Sequence, residues 1–70
     1  MDRRSVSSSM IKSIGYDAAT STLEIEYNSG PVWQYYDFTE SDWYAFESTD
    51  SHGKFFHSSI KGQYREAQVG

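Results

Sequence analysis

Leu23-Glu24-Ile25-Glu26-Tyr27, then Asn28-Ser29-Gly30-Pro31, then Val32-Trp33-Gln34-Tyr35 reads as two strands joined by a turn. Leu23, Ile25 and Tyr27 alternate with Thr22, Glu24 and Glu26, which puts apolar side chains on one face and acids on the other. That period of two marks a half-buried antiparallel sheet. Pairing Asn28 with Val32 sets Tyr27 opposite Trp33 and Ile25 opposite Tyr35, with three loop residues that include Gly30. A two-residue loop would set Tyr27 against Val32 and scatter the aromatics, so the first register is the expectation. Pro31, which has no backbone N–H to give, is tolerated at the turn.

On the N-terminal side, Ser9 to Tyr16 carries Met10, Ile11, Ile14 and Tyr16 and reads as another strand, joined to the hairpin by the loop Asp17 to Ser21. On the C-terminal side, Thr39 with Asp42 three residues on forms a weak capping box, and Phe38 and Trp43 hold the positions of a hydrophobic staple. Glu40 and Asp42 suit the first turn of that helix, and Trp43, Phe46 and Tyr44 are expected to face the sheet. Ser48 to Ser51 breaks this helix and caps a second one, His52 to Lys61, which Gly62 ends. The expected fold is therefore α+β: a three-stranded antiparallel β-meander followed by two short α-helices packed on one face. Residues 9–66 form the domain, with tails at 1–8 and 67–70. Ile14, Leu23, Ile25, Trp33, Tyr35, Trp43, Phe46, Phe56 and Ile60 are the expected core, with Tyr27 and Tyr64 at its rim.

Seventy residues make one domain, and a chain that short buries only about 60% of its unfolded surface. With no cysteine there is neither a disulfide nor a thiolate metal site, so a dense core must hold it. Its 17% aromatic content suits that task. No apolar run is long enough to span a bilayer. Arg3 and Arg4 precede serines rather than an apolar segment, so no secretory signal is read and a cytoplasmic location without membrane attachment is expected.

The formal charge of −4 argues against non-specific polyanion binding by the chain as a whole, but its distribution is uneven. Between Lys12 and Lys54 there is no basic residue and there are eight acids; from Lys54 to Arg65 there are cations and no acid. On an α-helix Lys54, His57 and Lys61 fall on one narrow stripe, which Arg65 joins if the helix continues. Such a stripe can contact successive phosphates, although charge runs more often mark a solvated face. The sheet face bearing Tyr27, Trp33 and Tyr35 could stack unpaired bases, yet a three-stranded sheet needs one covered face, so core is the stronger reading. Tyr36 points the other way and is the aromatic most available to a partner.

His52 and His57 diverge by about 140° on a helix, which disfavours a shared metal and leaves surface or capping roles for both. There is no Gly-x-Ser-x-Gly elbow, no P-loop and no dinucleotide fingerprint, so no enzyme activity, cofactor or metal is expected. Glu24 and Glu26 on an exposed strand read as solvation and edge protection rather than catalysis.

The runs Ser8 to Asp17, Leu23 to Tyr27, Gly30, and Trp33-Gln34-Tyr35 together resemble the KTSC domain, whose tyrosine-x-tyrosine centre has Trp33 in place of the first tyrosine here. Ser51-His52-Gly53-Lys54-Phe55-Phe56, followed by Ile60-Lys61 and Tyr64, is similar to the family's closing helix. His57 and Lys61 stand where the family often has asparagine and arginine, and a lysine offers a phosphate a point charge rather than a fork. The family takes its name from the C-terminal end of some lysyl-tRNA synthetases and also occurs as small stand-alone proteins of bacteria and phages. RNA binding is what that context implies.

Two functions follow as expectations. The first is RNA binding through the basic second helix, with Lys54 and Lys61 on phosphates, His57 and Tyr64 on sugar or base, and Lys12 and Arg65 at the edge. The alternative is protein–protein interaction: a basic protein partner meeting Glu24, Glu26, Asp37, Glu40, Asp42 and Glu47, beside Tyr36, or a strand pairing with a sheet edge. In the second case the chain is a monomer or a weak homodimer.

Overall fold

The computed structural model describes all 70 residues. The alternation of Leu23, Ile25 and Tyr27 produces the strand expected, and it lies at the centre of a five-stranded antiparallel sheet in the order β1-β2-β3-β4-β5. The strands are β1 (Arg4–Ser5), β2 (Ile11–Asp17), β3 (Thr22–Tyr27), β4 (Val32–Tyr35) and β5 (Glu66–Gln68). The expected three-stranded meander is thus β2-β3-β4, and the sheet is wider by two. Arg4–Ser5, read as tail, pairs with Ile14 and Ser13, and Glu66–Gln68 pairs with Tyr35, Gln34 and Trp33. Helix α1 (Glu40–Ser48) and helix α2 (His52–Phe55) follow the sheet, and α2 runs straight into a π-helix, π1 (Phe56–Ile60). No helix is long and apolar enough to cross a membrane.

The hairpin keeps its apolar face but not its expected register. Trp33 lies opposite Ile25 and Tyr35 opposite Leu23. The three loop residues are Asn28, Ser29 and Gly30, because the Tyr27 N–H donates to the Pro31 carbonyl at 3.0 Å and the Gly30 N–H to that of Tyr27 at 2.9 Å. Gly30 takes the positive φ (117°) that this turn requires. Proline thus flanks the turn, where only its carbonyl is used. The ladder moves by two residues, so every side chain stays on its own face.

On β2 the pairing shifts between Ile11 and Ser13, a bulge at Lys12. Strict alternation would send Ile11 and Ile14 to opposite faces; the bulge turns both inward, and both are fully buried. The core is Ile11, Ile14, Leu23, Ile25, Tyr35, Phe38, Phe46, Phe56 and Ile60. Trp33 and Trp43, expected within it, are half-buried and pack against it. Trp43 stacks on Tyr16 at 5.4 Å between ring centres. Ile11 and Phe38 take their places. Phe38 turns inward because Asp37 adopts a left-handed backbone (φ 59°), a conformation aspartate tolerates. Tyr44 does not face the sheet and is 58% exposed.

Thr39 caps α1 by accepting the Asp42 N–H at 3.2 Å, and Ser51 caps α2 by accepting that of Lys54 at 3.4 Å. The second helix leaves the α-helical path at Phe56. The Lys61 N–H reaches back to the Phe56 carbonyl at 2.9 Å, closing a wider turn. Lys61 has already left the helix, and Gly62 follows with φ 74°. His52, expected at the surface or as a cap, is 92% covered against Phe46, and neither ring nitrogen has a hydrogen-bond partner.

Gly15 is where β1 approaches most closely. A Cβ there would collide with the Asp2 carbonyl and come within 2.9 Å of Arg3 Cγ. Gly15→Ala should displace β1 and cost about 1–3 kcal/mol. Gly53→Ala meets only Ser8 Oγ at 3.7 Å and should stabilise by about 0.4–1 kcal/mol. Urea unfolding of both variants checks this, and equal midpoints would contradict it.

Candidate functional site

The structure sorts the expected site residues onto three separate surfaces. The first is the exposed side of α2 and π1, which carries Lys54, His57 and Lys61, all exposed. None of the three forms an ion pair. The other four cationic side chains all do: Arg3 with Glu24 and Glu26, Arg4 with Glu47, Lys12 with Glu26, and Arg65 with Asp37. Lys54 and Lys61 are therefore the two of six Lys and Arg residues left without an acid. Lys54 lies on α2, His57 on π1 and Lys61 just past the end of π1, where the backbone has left the helix, so the three do not form the narrow stripe that continuous α-helical spacing implies. Arg65 does not join them, because the chain leaves the helix before reaching that residue.

The second surface is the sheet face opposite the core. Glu24, Glu26, Lys12, Tyr36 and Arg65 all lie here, in one chain of contacts across the strands. Arg3 Nη1 donates to Glu24 Oε2 at 2.5 Å and Gln34 Nε2 to Glu24 Oε1 at 2.9 Å. Ser13 Oγ donates to Glu26 at 2.9 Å, and Lys12 Nζ stands 4.0 Å from the same carboxylate. Tyr36 donates to Gln34 Oε1 at 3.2 Å and carries the Arg65 guanidinium over its ring at 5.6 Å. Arg65 also reaches Asp37 at 3.2 Å. Glu24, expected to be exposed, is only 8% exposed, sheltered by Arg3 and Gln34. The hairpin acids are thus answered by Arg3 and Lys12, and the face is close to neutral. Lys12 and Lys54 lie on different sides of the molecule.

The third feature is a cavity of about 250 Å³ between the start of α1 and π1, with Phe38 as its floor. Its polar lining comes from Asp42, Ser58, Ser59, Gln63 and Tyr64. Tyr64, expected at a nucleic-acid contact, is half-buried and donates to Asp42 Oδ2 at 2.9 Å. Burial and that carboxylate push its phenol up to about 12. The sequence gives no sign of this cavity, since it joins Asp42 to residues well beyond it in the chain. The nearest hint is Tyr64, a lone aromatic in a polar segment.

At the edge of the core, the Tyr27 and Tyr35 hydroxyls meet at 2.5 Å, and burial raises both phenols. For all three tyrosines the folded state favours the neutral phenol. Their stabilisation is complete below pH 10, the ordinary value of a phenol, and declines as pH rises toward the folded values. Unfolding free energy should therefore fall above pH 10, and Tyr64→Phe should remove only Tyr64's share of that fall, which develops between about 10 and 12, leaving the share of the other two tyrosines. A pH series of urea melts tests this; an unchanged slope in the variant would exclude Tyr64 as a contributor.

The sheltered ion pair gives a second expectation. Arg3→Met leaves Glu24 sheltered and unpaired and should cost about 1–3 kcal/mol, whereas adding Glu24→Gln should recover part of it. A double-mutant cycle by urea unfolding measures the coupling, and strictly additive changes would show that the two side chains do not support one another.

Comparison with known proteins places these features in context. The KTSC domain matches residues 7–64. A segment of the lysine–tRNA ligase of a Nostoc species is 33% identical over 61 residues, covering 87% of this chain and 11% of the ligase. The chain therefore spans about a tenth of the curated ligases it matches. A small protein of Stutzerimonas stutzeri is 33% identical over 64 residues, covering 91% of this chain and 90% of that protein. The crystal structure of a KTSC domain protein from Yersinia pestis superposes with a TM-score of 0.93 at 40% identity, covering 99% of this chain and 97% of that one.

Proposed function

Because the chain belongs to the KTSC domain family, we propose that it is a small non-enzymatic binding module that contacts RNA through α2 and π1. The observation that carries this reading is the isolation of Lys54 and Lys61. Every other Lys or Arg is paired with an acid, and these two stand exposed on either side of His57, one on α2 and one at the end of π1. Unpaired, exposed cations suit phosphate oxygens, and their contacts are non-specific in sequence. Similarity to segments of lysine–tRNA ligases, proteins that handle a tRNA, supports the same direction.

Binding follows a charge rule. Affinity for a short single-stranded RNA should be measurable at low salt and fall steeply as salt rises. Lys54→Glu with Lys61→Glu should abolish it, whereas Arg65→Glu, which removes a residue already held by Asp37, should change it little. Fluorescence anisotropy with a labelled oligoribonucleotide at two salt concentrations gives the answer. Equal affinity in the double variant would end this reading.

A protein partner is the second reading, favoured by one observation. β5 closes the sheet order, so the outer backbone edge of Glu66–Gln68 has no neighbouring strand. An extended segment, including one from a second copy, could pair there. The version that relies on the hairpin acids has less support, since Arg3 and Lys12 neutralise Glu24 and Glu26.

A further inference from the structure

The cavity beside π1 has a lining whose hydrogen-bonding protons are almost all committed within the protein. The Tyr64 hydroxyl gives its one proton to Asp42 Oδ2. Ser58 Oγ gives its proton to the Lys54 carbonyl at 2.9 Å. Ser59 Oγ lies 3.4 Å from Ser58 Oγ, and since Ser58 has no second proton, Ser59 is the donor of that pair. Gln63 Nε2 donates to the Ser58 carbonyl at 3.1 Å, which fixes the amide so that its Oε1 is the free atom. What the lining offers a visitor is therefore mainly lone pairs: Asp42 Oδ1, Gln63 Oε1 and the serine oxygens. One N–H of Gln63 is the remaining donor. Asp42 is the single ionised group among the lining residues.

An acceptor-rich cavity carrying one negative charge selects a ligand that is all donors and singly positive. Hard divalent cations want several carboxylates, and only one is present. Anions are repelled by Asp42. A protonated primary amine has three N–H protons, one charge and no acceptor, and its alkyl stem can lie along Phe55 and Tyr64, which line the same cavity. We propose that this cavity binds a primary alkylammonium group, carried either by a free amine or by a lysine side chain of a peptide. The proposal is independent of RNA binding, which uses the outward cations of the same helical segment.

The test is an amide NMR titration of the full chain with n-butylammonium chloride at constant ionic strength. Potassium chloride and n-butanol serve as charge-only and stem-only controls. Saturable shifts centred on Asp42, Ser58, Ser59 and Gln63, absent with both controls, are expected. Asp42→Asn keeps an oxygen to accept the Tyr64 proton but removes the charge, and should weaken binding about tenfold or more. Gln63→Met, at an exposed position where misfolding is not an issue, should also weaken it. Titration with N-acetyl-lysine amide beside N-acetyl-norleucine amide assigns the source. Binding of the lysine derivative as tight as butylammonium supports a peptide ligand, and weaker binding supports a free amine. No saturable shift with butylammonium, an equal response to potassium, or unchanged affinity in Asp42→Asn would each overturn the proposal.

Discussion

With no cysteine to staple it, this chain depends on covering one face of its sheet. Ile11, Ile14, Leu23, Ile25 and Tyr35 supply the sheet half of that contact, and Phe46, Phe56 and Ile60 supply the helical half. So small a core leaves little margin. That constraint explains the bulge at Lys12, which recruits Ile11 as well as Ile14 into the core. It also explains the left-handed Asp37, which folds Phe38 inward, and the acceptance of His52 as an apolar filler against Phe46. Each departs from regular geometry or ordinary polarity so that more surface can be covered.

Once the inner face is covered, electrostatics settles the rest. The outer sheet face gathers acids from β3 and cations from β2 and the residue before β1 into contacts that largely cancel. Arg4 and Arg65 are likewise held by Glu47 and Asp37. What remains among the cations is a pair of lysines in the C-terminal part of the chain, conspicuous because every other Lys and Arg is answered. The acidic total of the sequence is therefore a poor guide to what the molecule presents on any one side.

The sequence made the central hairpin, the Thr39 cap, the start of the second helix and Gly62 legible, because each rests on a local pattern. The edge strands were not legible: Arg4–Ser5 and Glu66–Gln68 are short and polar and are held by backbone pairing with neighbours distant in sequence. Alternation also failed at Ile11, where a bulge resets the phase, and the hairpin register hinged on which residue opens the turn. For the candidate surfaces the difference is similar. The exposure of Lys54, His57 and Lys61 could be read from spacing, though their placement on one helical stripe could not, since the helix changes its turn at Phe56 and ends before Lys61. The neutralisation of Glu24 by Arg3 could not, since it needs a strand that spacing did not reveal. The cavity requires knowing where each hydroxyl proton goes, and that is a property of the assembled structure alone.

The π-helix carries a consequence of a different kind. Its wide turn depends on how many residues lie between Phe56 and Lys61 rather than on their side chains. Removing one of them would let the backbone return to an ordinary helix with most of the local chemistry intact. Ser58, Ser59 and Gln63 would then swing around the axis and away from Asp42. The alignment of these groups is thus encoded by counting: a variant of unchanged length can alter the cavity's chemistry, but an insertion or deletion of a single codon would take the cavity apart.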